Sequence, residues 1–251
     1  MSRRKKKRLR LYIEAGLAVF LAAVLAFAGR TGAFSGAEGD QLPVSQADSA
    51  EEGESAESTE ESADGQDESG VSEAEGQYPI MGKSDVTVQE MVDYFEQSGE
   101  KYPSEELSEG GADTIETFCQ MYYDEAVAEG VRPEVAFAQT MKETGFLQYG
   151  GDASIEQFNF AGLGTTGGGV PGNSYPDVRT GIRAQIQHLK AYATSDPLIQ
   201  ECVDDRYEYV KKGSAPYVEW LGQQENPEGT GWATGENYGY DIVGMIEDMT
   251  E

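Results

Sequence analysis

The chain has 251 residues with 46 acidic and 18 basic side chains, a formal net charge of −28 at pH 7. An acidic chain without a basic patch in its globular part argues against nucleic acid as a partner, because phosphate binding needs clustered Lys and Arg. Two cysteines and one histidine make no metal-binding spacing, and no cofactor is expected.

Composition divides the chain. Residues 3–10, RRKKKRLR, hold seven of the 18 basic side chains and run straight into the apolar stretch LYIEAGLAVFLAAVLAFAG. A basic flank before an apolar run keeps the N-terminus cytoplasmic, so residues 1–30 read as an export signal with everything after them outside. The uninterrupted apolar run, residues 15–28, has the 14-residue length of a cleavable core, and Ala26 and Ala28 offer a cleavage pattern. Counted from Leu11, with Glu14 tolerated, it reaches 18 residues, enough for one transmembrane helix. The expectation is an uncleaved single-pass anchor in the cell membrane with the C-terminal domain extracellular. The alternative is a protein secreted to the cell wall. Residues 31–77 form a linker, with 14 acids and no Lys or Arg between residues 36 and 77. It has too little to bury to offset its ordering entropy, and reads as a disordered, self-repelling spacer.

Residues 78–251, about 175 in all, supply one domain's worth of core. In a lead-in over 78–112, VTVQEMVDYFEQSG (86–99) spaces Val88, Met91, Val92 and Phe95 as an amphipathic helix that stops at Gly99. The domain proper is placed at 113–251. A second helix over 112–130 puts Ile115, Phe118, Cys119, Tyr122 and Tyr123 on one face, with Asp113 as cap and Gly130 as stop. Pro133 opens a third helix, apolar nearly all round through Phe146 and Leu147 and ending at the glycine pair 150–151, which marks it as central. Residues 150–176 are a Gly-rich loop or small β-hairpin. Helical spacing returns at VRTGIRAQIQHLKAYATS with Ile182, Ile186, Leu189 and Tyr192. A further helix is expected from Ala215 or Pro216, and a last one in ENYGYDIVGMIEDM buries Tyr240, Val243 and Ile246. The fold class is mainly α. His188 reads as structural, and Gln185 and Gln187 as structural or solvent-facing. Cys119 and Cys202 either pair, as an exported domain allows, or are two small buried side chains.

Glu143 stands out. Its helical neighbours at three and four residues are Gln139, Thr140, Phe146 and Leu147, so no salt-bridge partner is available along the helix. A buried carboxylate among neutral neighbours has a raised pKa, which suits a general acid near neutral pH. The same pattern fits a structural glutamate bonded to a backbone N–H.

VRPEVAFAQTMKETGFLQYGG, then QFNFAGLG, GIRAQIQHLKAYA, GSAPYVEWL and GWATGENYGYDI, in that order over about residues 115 to 251, resemble the glucosaminidase domains of bacterial cell-wall hydrolases, glycoside hydrolase family 73. The resemblance implies a lysozyme-like α-helical domain with a groove for peptidoglycan glycan strands. It also implies cleavage of the β-1,4 bond between N-acetylglucosamine and N-acetylmuramic acid. It places the catalytic acid on Glu143 and a tyrosine facing the sugar on Tyr238. Substrate contacts are implied at Gln139, Asn159, Phe160 and Gly162. Apart from the resemblance, Tyr149, Tyr175 and Trp232 read either as sugar-stacking faces or as core and loop anchors. Family members often carry a second acid in the hairpin after the Asn-Phe motif, yet no Asp or Glu occurs here between Gln157 and Pro176. Glu156 or Asp177 can take that part, or the substrate's acetamido group assists instead. Carboxylate separation distinguishes inverting from retaining hydrolysis, so the outcome stays open. A lytic transglycosylase on the same fold and a catalytically inactive wall-binding scaffold are the competing readings.

Overall fold

A computed structural model describes residues 77–151, 153–165 and 168–251. The expected anchor and nearly all of the acidic linker fall in residues 1–76 and lie outside the described residues. No helix among the described residues is long and apolar enough to cross a membrane.

The described residues form α-helices and short 3-10 turns without a strand, only isolated bridges such as Pro79 with Tyr217 and Met81 with Val131. Helix α1 (Val88–Ser98) begins with a capping box between Thr87 and Glu90, and Gly99 ends it in the left-handed region. Helix α2 (Ser104–Glu109) was not expected, because its sequence SEELSE buries only Leu107 and carries no apolar period. Helix α3 (Ile115–Glu129) is capped by Thr114, whose hydroxyl accepts from the Thr117 N–H at 3.2 Å. The expected cap, Asp113, sits one residue too early for that bond.

Helix α4 (Pro133–Thr144) is shorter than its apolar run suggests. Gly145 takes φ 58 and ends it, and Phe146, Leu147 and Tyr149 come next with φ of 56, 63 and 54. Left-handed backbone at bulky residues costs roughly 1–2 kcal/mol each. The turn holds because Phe146 N–H donates to the Met141 carbonyl at 2.9 Å and Tyr149 N–H to that of Thr144 at 2.8 Å. Burial of Phe146 and Leu147 offsets the remainder, at roughly 1.5–3 kcal/mol per large apolar side chain.

Helix α5 (Val178–Ala193) is capped by Asp177, and α6 (Tyr238–Thr250) closes the chain. Between them the expected helix from Ala215 does not form. Residues 78–80 pair alongside 216–218, with Ile80 N–H on the Pro216 carbonyl at 3.0 Å and Val218 N–H on that of Tyr78 at 2.8 Å. That leaves only a 3-10 turn, Val218–Leu221. The buried face of α6 is Tyr238, Ile242, Met245, Ile246 and Met249, while Tyr240 is 55% exposed, so the inward stripe starts two residues earlier than expected.

Helix α3 packs on α1, α4 and α5, and α6 packs on α4, α1 and the 218–221 turn. The lead-in shares this core through Ile80, Val86, Met91 and Phe95. Buried acids tie α3 to α5: Glu129 accepts from Lys190 at 2.9 Å, and Glu125 from Arg179 and Arg183 at 2.8 Å each. Cys119 is buried in α3 and Cys202 is exposed, both as free thiols, so the two do not pair.

Candidate active site

Every residue of α4 is buried except Glu143. The sequence places it one residue before the helix ends, where the dipole disfavours a negative charge. Glu143 itself is half-buried. Burial pushes its pKa up, and a hydrogen bond from Tyr238 and the charge of Lys142 pull against that. Lys142 itself is buried. Its ammonium donates to Asp241 of α6 at 2.8 Å and lies 5.6 Å from the Tyr238 ring centroid.

Tyr238, the first residue of α6, has no exposed surface, and its hydroxyl donates to Glu143 Oε1. Burial and the Glu143 charge raise the phenol far above its ordinary value, so it stays a donor. Glu143 Oε2 has no hydrogen-bond partner among the described residues, yet it is not one of the buried unpaired atoms. It therefore meets solvent. The glycine after Tyr238, Gly239, makes this arrangement possible, because a Cβ there would stand 2.1 Å from the Val218 carbonyl oxygen. Only glycine lets α6 start so close to the 218–221 turn.

The matching family model is Glucosaminidase, mannosyl-glycoprotein endo-beta-N-acetylglucosaminidase, which covers residues 119–251, more than half of the chain. The chain belongs to this glucosaminidase family. An uncharacterized protein of Borreliella burgdorferi is 42% identical over 118 residues, which make up 47% of this chain and 58% of that protein. The chain thus matches under two thirds of that relative's length. No solved structure matches.

Within the glucosaminidase domain the expected site residues separate into two groups. Gln139, Asn159 and Phe160 are buried and support the site from behind. Gln139 donates to the Tyr238 hydroxyl at 3.1 Å. The Asn159 amide donates to the Leu163 carbonyl at 2.8 Å and accepts from the Leu163 N–H at 2.9 Å, folding the Gly-rich loop around itself. Phe160 packs edge-on against Phe118, with centroids 5.2 Å apart. All three are closed off from solvent, so in this structure they support the site and do not line it. Gly162 supplies a left-handed turn with φ 61 in the same loop.

Tyr175 and Trp232 are half-buried and pack on one small cluster of Ala161, Leu163 and Ala184. Trp232 meets Tyr192 at 5.7 Å and the edge of His188 at 4.8 Å between ring centroids. His188 is held by Asp204, with Nδ1 2.7 Å from Oδ2. The Arg206 guanidinium lies 5.7 Å from the Tyr209 ring centroid and forms no ion pair among the described residues.

Of the two candidate second acids, Asp177 spends its carboxylate on the Thr180 N–H at 2.7 Å as the cap of α5. Glu156 lies exposed on the 3-10 turn Ile155–Gln157 and accepts from Ser154. No cluster of His, Cys, Asp and Glu that could hold a metal occurs among the described residues. Sequence reasoning gave Gln185 no part in the site, and its solvent-facing reading is overturned for Gln185 and Gln187 alike: both are fully buried, and Gln185 is bonded to Gln139 at 2.9 Å. The signal was present: Gln185 stands three residues after Ile182 and four before Leu189, a polar side chain in the apolar stripe.

Proposed function

We propose that the chain is an exported peptidoglycan hydrolase that cleaves the β-1,4 bond between N-acetylglucosamine and N-acetylmuramic acid, with Glu143 as general acid. The observation that carries this reading is Glu143 itself, the one residue of α4 that reaches solvent, with Oε1 held by Tyr238 and Oε2 open. In this reading the Oε2 proton passes to the glycosidic oxygen as the bond to C1 breaks, and water completes the product at C1. A positioned acid of this kind contributes roughly two to four orders of magnitude in rate. Tyr175, Tyr192 and Trp232 offer aromatic faces for sugar rings, and Arg206 offers a cation to a polymer that bears carboxylates. Residues 1–30 would hold the chain at the cytoplasmic membrane, and the acidic linker would let the domain reach the wall.

A second reading, a lytic transglycosylase, is favoured by one observation: Asp177 is used as a helix cap and Glu156 lies on an exposed turn, which leaves Glu143 without an evident carboxylate partner. Such an enzyme works with one Glu as acid and then base. Mass spectrometry of products from purified peptidoglycan separates the two. Reducing-end N-acetylglucosamine supports the hydrolase and 1,6-anhydromuramic ends support the transglycosylase. If the Glu143→Gln variant clears wall substrate as well as an active parent does, Glu143 is not the acid and both readings fail; if neither clears it, an inactive wall-binding scaffold remains.

A further inference from the structure

Behind Glu143 a chain of hydrogen bonds crosses four helices and returns to the one it started from. It begins at the Ala136 carbonyl in α4, which can only accept. Gln185 of α5 stands 3.0 Å from that oxygen, so the atom facing it must be the amide nitrogen. The other Gln185 N–H is then available to the Gln139 oxygen at 2.9 Å. Gln185 Oε1 faces the hydroxyls of Tyr122 of α3 at 2.7 Å and Thr140 at 2.8 Å, which also meet each other at 2.5 Å, so at least one of their two protons is directed to it. Both N–H groups and the oxygen of this fully buried amide thus have partners.

With its oxygen turned to Gln185, Gln139 presents its nitrogen to the Tyr238 hydroxyl at 3.1 Å. Tyr238 therefore accepts from Gln139, and its own proton has one polar neighbour left, Glu143 Oε1. We propose that Gln185 is a positioning residue for the acid: by reading the Ala136 carbonyl it sets the direction of every bond up to Glu143, which confines the transferable proton to Oε2. This rests on the reading of Glu143 as the acid for its catalytic meaning, while the relay itself is a property of the folded chain.

Without Gln185 the Gln139 amide is free to turn over. Its oxygen then competes with Glu143 for the Tyr238 proton, the carboxylate loses part of its stabilisation, and its pKa rises. The test is carbon-13 titration of the Glu143 carboxyl in the full chain labelled at glutamate, with the signal assigned by its loss in Glu143→Gln. Gln185→Met is expected to raise the midpoint by about 0.5–1 pH unit, the loss of part of a charged hydrogen bond. In a Tyr238→Phe background the same substitution is expected to add under about 0.2 unit, because the link it acts through is gone. Thr140→Val, which loosens the cluster but leaves the Ala136 contact intact, is expected to leave the midpoint in place.

An unmoved midpoint in folded Gln185→Met overturns the proposal, as does an equal shift in the Tyr238→Phe background or with Thr140→Val. If Gln185→Met does not fold, Gln185→Glu replaces it: a neutral buried carboxyl has one donor for two acceptors, and the midpoint moves the same way. The alkaline limb of kcat/KM should follow the midpoint. A shifted midpoint in a chain that cleaves no peptidoglycan supports the relay and removes the catalytic role of Glu143, so the two failures are distinct.

Discussion

Tyr238→Phe removes one oxygen atom and tests how the acid is tuned. Three influences act on Glu143: burial raises its pKa, while the Tyr238 hydrogen bond and the Lys142 charge lower it. A hydrogen bond to a charged group contributes about 1.5–3 kcal/mol, and at about 1.4 kcal/mol per pH unit its loss raises the Glu143 pKa by roughly 1–2 units. The working form of a general acid is protonated, so the alkaline limb of kcat/KM against pH should move up by the same amount. Because the folded pKa already lies above the unfolded value, Glu143 stabilises the fold most fully at low pH. That contribution is lost as pH rises through the folded pKa, over a wider window in Tyr238→Phe. The variant also leaves the Gln139 amide without its acceptor, at about 1–3 kcal/mol of stability. The assay is hydrolysis of dye-labelled peptidoglycan across pH, with thermal melting at each pH. A limb that stays in place or moves down, in a folded variant, would falsify the tuning argument.

Glu143→Gln is expected to lose about two to four orders of magnitude in kcat with little change in melting temperature, since an amide oxygen still accepts from Tyr238 and no charge remains to desolvate. Gly239→Ala should push α6 off the 218–221 turn, lowering stability by about 1–3 kcal/mol and activity with it, as Tyr238 is displaced from Glu143; wild-type melting and rate would refute the close approach. For Glu125, burial raises the pKa, but bonds from Arg183, Arg179 and Gln200 outweigh it and hold the carboxyl at about 2. Its stabilisation is therefore present above the ordinary carboxylate range and lost as pH falls toward that value. With Arg179 40% exposed and its charge screened, Glu125→Gln should cost about 1–3 kcal/mol near neutral pH, shrinking toward zero in acid, as read by denaturant unfolding.

The apolar spacing of α1, α3, α4 and α5 was legible because each helix buries a face against a single core, and burial leaves a period in the sequence. Glycines marked where α1 and α3 end, since each carries a left-handed residue that glycine adopts without strain. The end of α4 was misread for the same reason. Phe146 and Leu147 are apolar because the left-handed turn buries them, and burial alone does not tell a turn from a helix. Nor did the 215–221 region yield to local pattern, because its backbone is claimed by residues 78–80, more than 130 residues away in the chain.

Glu143 could be singled out from its neighbours alone: an acid without an ion-pair partner three or four residues away on a largely apolar helix. The sequence by itself thus determined that helix, the acid near its end and the motif order that marks the family. Only the tertiary structure decided what surrounds the acid. Tyr238 bonds to it, Gln139 and Gln185 stand behind Tyr238 on two other helices, and hydrogen-bond direction depends on which atoms meet across space. One-dimensional spacing carries no record of a carbonyl such as Ala136, which every residue possesses and whose lone pair matters only where another helix brings an amide to it.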